Sequence, residues 1–215
     1  QVNDNIRKRV DGSGCYDVIL PKFKKLVEKR GDKEYYVRGT FTKHNLDFSE
    51  DVFSLYDEGF DQISVEPVVC EPEAPYALTE KELSAIFSEY ERLSARILEN
   101  EKHGGKFNFF HFMLDLDQGP CAIKRLRGCG CGNEYVAITP DGDIYPCHQF
   151  VGLEEYKMGN LDEGTFNLDM KAEFAESHVY TKPECKKCWA KFYCSGGCNA
   201  VSYTHLRAHE TRHDL

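Results

Sequence analysis

The sequence predicts an α/β chain in two dissimilar parts. Strand and helix patterns alternate through the first half, a β-hairpin signal stands in the second, and eight of the ten cysteines fall between Cys121 and Cys198. Hydrophobic residues make up 41 % of the 215 positions and aromatics 13 %, enough for cores of ordinary size rather than a disordered chain. The expected boundaries are 1–117 for the alternating part, 118–200 for the cysteine-rich part and 201–215 for a tail.

The first element is a helix over 17–30, with Phe23, Leu26 and Val27 on one face and Gly31 as its stop. The aromatic and β-branched run 34–41 predicts a buried strand. A second helix over 49–58 turns Val52, Phe53 and Tyr56 inward and ends at Gly59, and 61–69 is a second strand closed by the turn residues 71–75. Thr79-Glu80-Lys81-Glu82 matches a capping box. From it Leu83, Ile86, Phe87, Tyr90, Leu93, Ile97 and Leu98 follow the helical period up to Gly104-Gly105. Alternating apolar residues at Phe110, Phe112, Leu114 and Leu116 predict a third strand over 107–116. Strands separated by helices imply βαβ units and a parallel sheet, here part of a barrel because three strands cannot close one.

From about Gln118 the chain becomes glycine-punctuated and cysteine-rich. Pro140-Asp141-Gly142-Asp143 between 135–139 and 144–147 predicts a β-hairpin that delivers Cys147 at the end of its second strand. A short helix is expected over 165–177.

Composition excludes several functions. A formal net charge of −9 leaves no basic footprint for nucleic acid. No apolar run approaches the roughly 18 residues that span a bilayer, so no membrane partner is expected. Gln1-Val2-Asn3-Asp4 carries no signal-peptide pattern. A cytoplasmic location is therefore expected, with the chain beginning inside a longer sequence.

Without export the cysteines read as metal ligands rather than disulfides. The clearest run is Cys185-x2-Cys188-x5-Cys194-x3-Cys198, with Cys121, Cys129, Cys131 and Cys147 upstream. Eight thiolates are the complement of two four-iron clusters. Four thiolates can also hold zinc and stabilise a small binding module, although only Cys185/Cys188 forms the C-x2-C knuckle that zinc ribbons pair.

The run C-x2-C-x5-C-x3-C, preceded by C-x(9–15)-G-x4-C, resembles the SPASM domain of radical-SAM enzymes. Cys129, Gly142 and Cys147 meet the upstream element with twelve residues before the glycine and four after it, and Cys131 meets it with ten. Gly-Pro-Cys-Ala-Ile-Lys-Arg-Leu (119–126) and Tyr-Pro-Cys-His-Gln-Phe-Val-Gly (145–152) further resemble the maturases of SCIFF peptides, small and rich in cysteine. The resemblance covers roughly residues 1 to 200. It implies a partial (β/α) radical-SAM barrel followed by a SPASM domain, acting on a cysteine-rich precursor peptide with an external electron donor.

The implied chemistry begins with a reduced cluster that cleaves S-adenosylmethionine to a 5′-deoxyadenosyl radical. The radical takes a hydrogen from the peptide, and a cysteine thiolate then closes a thioether. Two auxiliary 4Fe-4S clusters accept the electron or hold the sulfur. The resemblance assigns Cys129, Cys147 and Cys198 to the first auxiliary cluster, with Cys121 as fourth ligand, and Cys185, Cys188 and Cys194 to the second. Cys129 is favoured over Cys131 because the SCIFF maturases carry cysteine there. The radical-SAM signature C-x3-C-x2-C does not occur in the 215 residues, so this chain alone is expected to be inactive. A last ligand for the second cluster, expected beyond Cys198, is also missing.

Arg38, on the strand over 34–41, and Glu66, on the next, are candidate S-adenosylmethionine contacts, and the alternative is that they pair with each other. His148 stands where sulfatase-maturing relatives carry an Asp base, which argues against that activity. Other SPASM peptide or sulfatase maturases remain as alternatives. Trp189 and Tyr193 are expected to shield the cysteines around them. The ending 201–215, with His205, His209 and His213 four apart, is read as a non-native tail rather than a metal site.

Overall fold

A computed structural model describes residues 2–70, 73–113, 117 and 121–200. The chain divides into two compact units, Gln1–Met113 and Leu114–Leu215.

The first unit opens with a short helix α1 (Val2–Ile6) and continues through α2 (Tyr16–Arg30), β1 (Val37–Phe41), α3 (Phe48–Asp57), β2 (Gln62–Pro67), α4 (Glu80–Lys102) and β3 (Asn108–Phe109). The three strands are parallel in the order β1-β2-β3, with Arg38 opposite Ser64, Thr40 opposite Glu66 and Gln62 opposite Asn108. Successive side chains alternate between faces. Val37, Phe41, Ile63, Val65 and Phe109 lie on the buried face, in one core with Phe48, Val52, Phe60, Ile86 and Leu93. Phe41 stacks on Phe48 with ring centroids 4.3 Å apart. Arg38, Thr40, Ser64, Glu66 and Asn108 share the opposite, polar face.

The capping box forms: Thr79 Oγ1 accepts from the Lys81 backbone N–H, and the Glu82 carboxylate accepts from the Thr79 backbone N–H at 2.7 Å. Inside the unit the buried Glu89 accepts from the Ser49 backbone N–H at 3.0 Å. That ties α4 to the first turn of α3, whose end attracts negative charge. Arg92 and Arg96 extend the junction to Glu50 at 2.5 and 2.8 Å.

The helices and first two strands stand within a few residues of their expected places. The third does not. β3 holds two residues, and 110–112 wind into a 3₁₀ turn. The apolar residues there suit a turn as well as a strand, because Phe109 and Phe112, three apart, meet at 5.0 Å. Residues 114–116 of the expected strand lie outside the described ones. On α2, Leu20 and Val27 pack against the core, whereas Phe23 and Leu26, expected on one face with Val27, are exposed.

In the second unit β4 (Ala137–Ile138) and β5 (Asp143–Tyr145) form the expected hairpin. β6 (Gly159–Asn160) and β7 (Thr165–Phe166) extend it to an antiparallel sheet in the order β4-β5-β6-β7. The last pair sits where a helix was expected to begin. α5 (Leu168–Glu176) starts only at Asn167, whose side chain caps it by accepting from the Met170 N–H at 2.9 Å. Two further short helices, α6 (Pro183–Lys187) and α7 (Lys191–Cys194), carry the C-terminal cysteines. Residues 201–215, with their three histidines, lie outside the described ones. Among the described residues no helix is long and apolar enough to cross a membrane.

Candidate metal centre

The hairpin turn positions the first cysteines. Gly142 has φ +80°, a conformation glycine adopts freely, and its N–H donates to the Thr139 carbonyl at 3.0 Å. Asn160, buried on β6, braces this turn from below. Its amide nitrogen donates to the Asp141 carbonyl at 3.0 Å and to the Asp143 carboxylate at 2.8 Å. Lys157 pairs with Asp143 at 2.7 Å, and these two partners hold the Asp143 carboxyl below its ordinary range. Two residues past β5, Cys147 lies in the core.

The Cys129-Gly130-Cys131-Gly132 loop folds against this hairpin. The Gly132 N–H donates to the carbonyls of Tyr135 and Pro146, each at 3.0 Å. Gly132 has φ +75°, and a Cβ there would stand 2.6 Å from the Phe174 ring. Cys131 is 2 % exposed and Cys147 5 %, both packed with Tyr145, Phe150, Phe174 and Ala200. Cys129 is exposed and accepts from the Tyr135 hydroxyl at 3.7 Å.

Cys131 lies between Cys129 and Cys147 and has one S–H proton for the two of them. The pull of that neighbouring thiol makes the outer two acidic, Cys129 to about 5 and Cys147 to about 6. Cys131, between two groups that ionise first, is pushed up and keeps its proton. A negative pair beside a proton-holding third is a thiolate-rich corner, the form that metals bind.

The segment following α7 closes on that corner. Ser195, Gly196 and Gly197 all have positive φ, turning the chain sharply back after Cys194. Gly128 lies against the Gly197 carbonyl, so a Cβ at 128 would stand 3.1 Å from it. Asn199 Nδ2 donates to Cys131 Sγ at 3.7 Å, and Ala200 packs in the same core. The residues flanking Cys198 are thus brought to the Cys129–Cys131–Cys147 corner.

Cys185 lies on α6, Cys188 just past it and Cys194 at the end of α7, with the Cys188 N–H donating to the Cys185 carbonyl at 3.2 Å. Burial pushes the Cys185 thiol up, and the Lys182 ammonium opposes it. Cys121 is exposed, as are Cys188, Cys194 and Cys198. Trp189, expected to shield the cysteines, is 88 % exposed, because it lies between α6 and α7 with Tyr193 as its ring contact among the described residues. Among the described residues no group of three or more His, Cys, Asp or Glu side chains encloses a single ion. A four-iron cluster places its thiolates at separate iron corners instead, and the donors present here are the kind it takes.

Residues 129–189 match the family model for SPASM, the iron–sulfur cluster-binding domain. These residues form a SPASM domain. The chain is 37 % identical over 85 residues to a cysteine-type anaerobic sulfatase-maturating enzyme of Clostridium perfringens, covering 35 % of this chain and 22 % of that one. A Clostridium novyi enzyme of the same description is 25 % identical over 211 residues, 92 % of this chain and 54 % of its own. A serine-type counterpart from Klebsiella aerogenes is 33 % identical over 82 residues, 36 % of this chain and 18 % of its own. The fold matches a structure described as histidine-tagged anSMEcpe with bound AdoMet, with a TM-score of 0.63 at 18 % identity, over 94 % of this chain and 54 % of that one. A second match, native anSMEcpe with bound AdoMet and Kp18Cys peptide, has a TM-score of 0.60 at 19 % identity, over 92 % and 56 %. The chain is thus similar in sequence to anaerobic sulfatase-maturating enzymes and shares part of the α/β fold of the matched structures, with the SPASM match lying in its second unit. It spans about half the length of these structures, and less of several of the curated relatives.

Outside the SPASM domain, Arg38 and Glu66 form an ion pair across β1 and β2, as one of the two expectations had it. Ser64 Oγ donates to the other Glu66 oxygen at 3.0 Å. The Arg38 side chain nonetheless stays 65 % exposed on the polar face. His111, just past β3, has its pKa lowered by burial and by the Arg38 charge. Its Nε2 is buried without a hydrogen-bond partner among the described residues. His111, Lys182 and Asn199 had escaped sequence reading, because no spacing motif marks them.

Proposed function

We propose that this chain is part of a radical-SAM maturase that installs thioether cross-links in a cysteine-rich, ribosomally made peptide. The observation that carries the reading is the cysteine framework of the SPASM domain, with Cys129, Cys131 and Cys147 in one corner and the residues around Cys198 packed against it. Cys121, Cys129, Cys147 and Cys198 would hold one auxiliary 4Fe-4S cluster, and Cys185, Cys188 and Cys194 a second. Cys129 is preferred to Cys131 as the ligand because the SCIFF maturases that the sequence resembles carry cysteine there. Cys131, proton-holding and buried beside both, would shield the site instead.

When bound, S-adenosylmethionine and the clusters supply hydrogen abstraction and take up the electron that the new bond releases. The chain's own residues bind and orient. Arg38, held by Glu66, presents its guanidinium on the polar face of the sheet, where it would meet the carboxylate of the cofactor. The packing of Phe150, Phe174 and Tyr145 around Cys131 and Cys147 keeps water from that side of the corner. In the relative's structure a peptide named Kp18Cys is bound together with AdoMet, and here the corresponding partner would be the cysteine-rich precursor.

His148 follows Cys147 and is exposed, beside Gln149 at 3.3 Å. It stands where sulfatase-maturing enzymes carry an acid, which favours cross-linking over sulfatase maturation. The curated relatives favour the second reading, cysteine-type sulfatase maturation. The test joins the chain to a full barrel and incubates it with S-adenosylmethionine, dithionite and either a cysteine-rich precursor or a sulfatase-derived cysteine peptide. Loss of two hydrogens per cross-link, with the thiols blocked to alkylation, is expected for the first peptide. Conversion of the sulfatase peptide's cysteine to an aldehyde, with the precursor untouched, would establish the second reading instead.

A further inference from the structure

In the cysteine-rich unit a half-buried cation, Lys182, stands beside the segments that carry the cysteines. Lys182 precedes α6, and its Nζ donates to the Gly196 carbonyl at 2.9 Å and to Asn199 Oδ1 at 3.0 Å. An ammonium has three N–H donors, and among the described residues no further acceptor takes the third. Asn199 is held in turn by Ser177, whose hydroxyl donates to Oδ1 at 3.0 Å, and its own amide nitrogen reaches Cys131 Sγ at 3.7 Å. The ammonium is therefore fixed between the segment that carries Cys185 and Cys194 and the corner that carries Cys131.

Burial weakens the hold of Lys182 on its proton, and the thiols of Cys185, Cys194, Cys198 and Cys131 act the other way. These four belong to both cysteine groups. A carboxylate is the ordinary partner of a half-buried lysine, and none within salt-bridge reach is found for Lys182 among the described residues. Desolvating a cation without an anion is costly. The negative charge that would balance it is then that of the ligand thiolates Cys185, Cys194 and Cys198.

We propose that Lys182 and Asn199 are positioning residues for the auxiliary clusters, the ammonium serving as their shared counter-charge and raising their reduction potentials. This rests on the reading that the cysteines hold iron–sulfur clusters. Cluster potentials respond to net charge and to hydrogen bonds at the sulfurs. A fixed positive charge favours the reduced, more negative state, and Asn199, through its Oδ1, holds the ammonium in place beside Cys198.

The experiment is an EPR-monitored redox titration of the anaerobically reconstituted 215-residue chain, with iron and sulfide measured in every sample. Lys182→Met is expected to keep the iron content and lower at least one midpoint by about tenfold in the oxidised-to-reduced ratio at fixed potential, ~59 mV for a one-electron couple. Lys182→Arg, which keeps the charge, is expected to stay near the parent. Equal midpoints in Lys182→Met and the parent at equal iron content would overturn the proposal. So would a fall of the same size in Lys182→Arg, which would make the lysine a packing residue. Should Lys182→Met fail to load, Asn199→Leu reads the same coupling: a lowered midpoint supports it and an unchanged one overturns it. A parent chain that takes up no sulfide contradicts the cluster reading itself, and that result is distinct from all of these.

Discussion

Glu89 is the most instructive single residue of the first unit. The helical period places position 89 beside the core, where a charge is costly unless it is hydrogen-bonded. The carboxylate is tolerated because it accepts from the Ser49 N–H and lies 3.6 Å from Arg92. Glu89→Ala strands that donor, so chemical denaturation is expected to show a loss of about 1.5–3 kcal/mol, the usual scale for a hydrogen bond to a charged group. His111 gives a pH signature of its own. Its folded pKa lies below the ordinary value of 6.5, so the unfolded chain takes up the proton first. Its contribution to stability is complete above pH 6.5 and is lost as pH falls through the folded value. Urea midpoints are expected to fall between pH 7 and pH 5 by more in the parent than in His111→Gln, and equal slopes would remove His111 as a source of the pH dependence.

Whole elements were legible where local chemistry and burial agree. The capping box before α4 was readable because Thr79 and Glu82 act within one turn. Thr79→Ala is expected to cost about 1 kcal/mol, visible as a lower thermal midpoint of the first unit. The 137–145 hairpin was readable from its Pro-Asp-Gly-Asp turn. β6 and β7 were not, since two-residue strands carry no alternation, and their pairing depends on the hub that Asn160 makes with Asp141 and Asp143. The third strand was misread because alternating aromatics also satisfy the i, i+3 contact of Phe109 with Phe112. In the site, spacing exposed the cysteines but could not mark Lys182 and Asn199, whose places depend on the positive-φ run 195–197 folding back onto the 128–132 loop.

At the scale of the whole molecule, the two units differ in how they can hold themselves together. The first has a continuous apolar core under a parallel sheet. The second has a small one built around Cys131 and Cys147, with sheet strands of two or three residues. A domain with so little apolar burial draws stability from what its thiolates bind. Hydrogen exchange on the chain with and without reconstituted iron is expected to show protection gained over 121–200 and unchanged over 2–113. A uniform gain across both would contradict that division.

The central claim is that the cysteines of the second unit hold iron–sulfur clusters, and metal and sulfide analysis of the anaerobically reconstituted chain tests it most directly. The expected product is brown, with iron and acid-labile sulfide beyond one cluster's worth, both reduced in Cys147→Ser and unchanged in Cys15→Ser. A colourless protein with stoichiometric zinc and no sulfide would contradict the account.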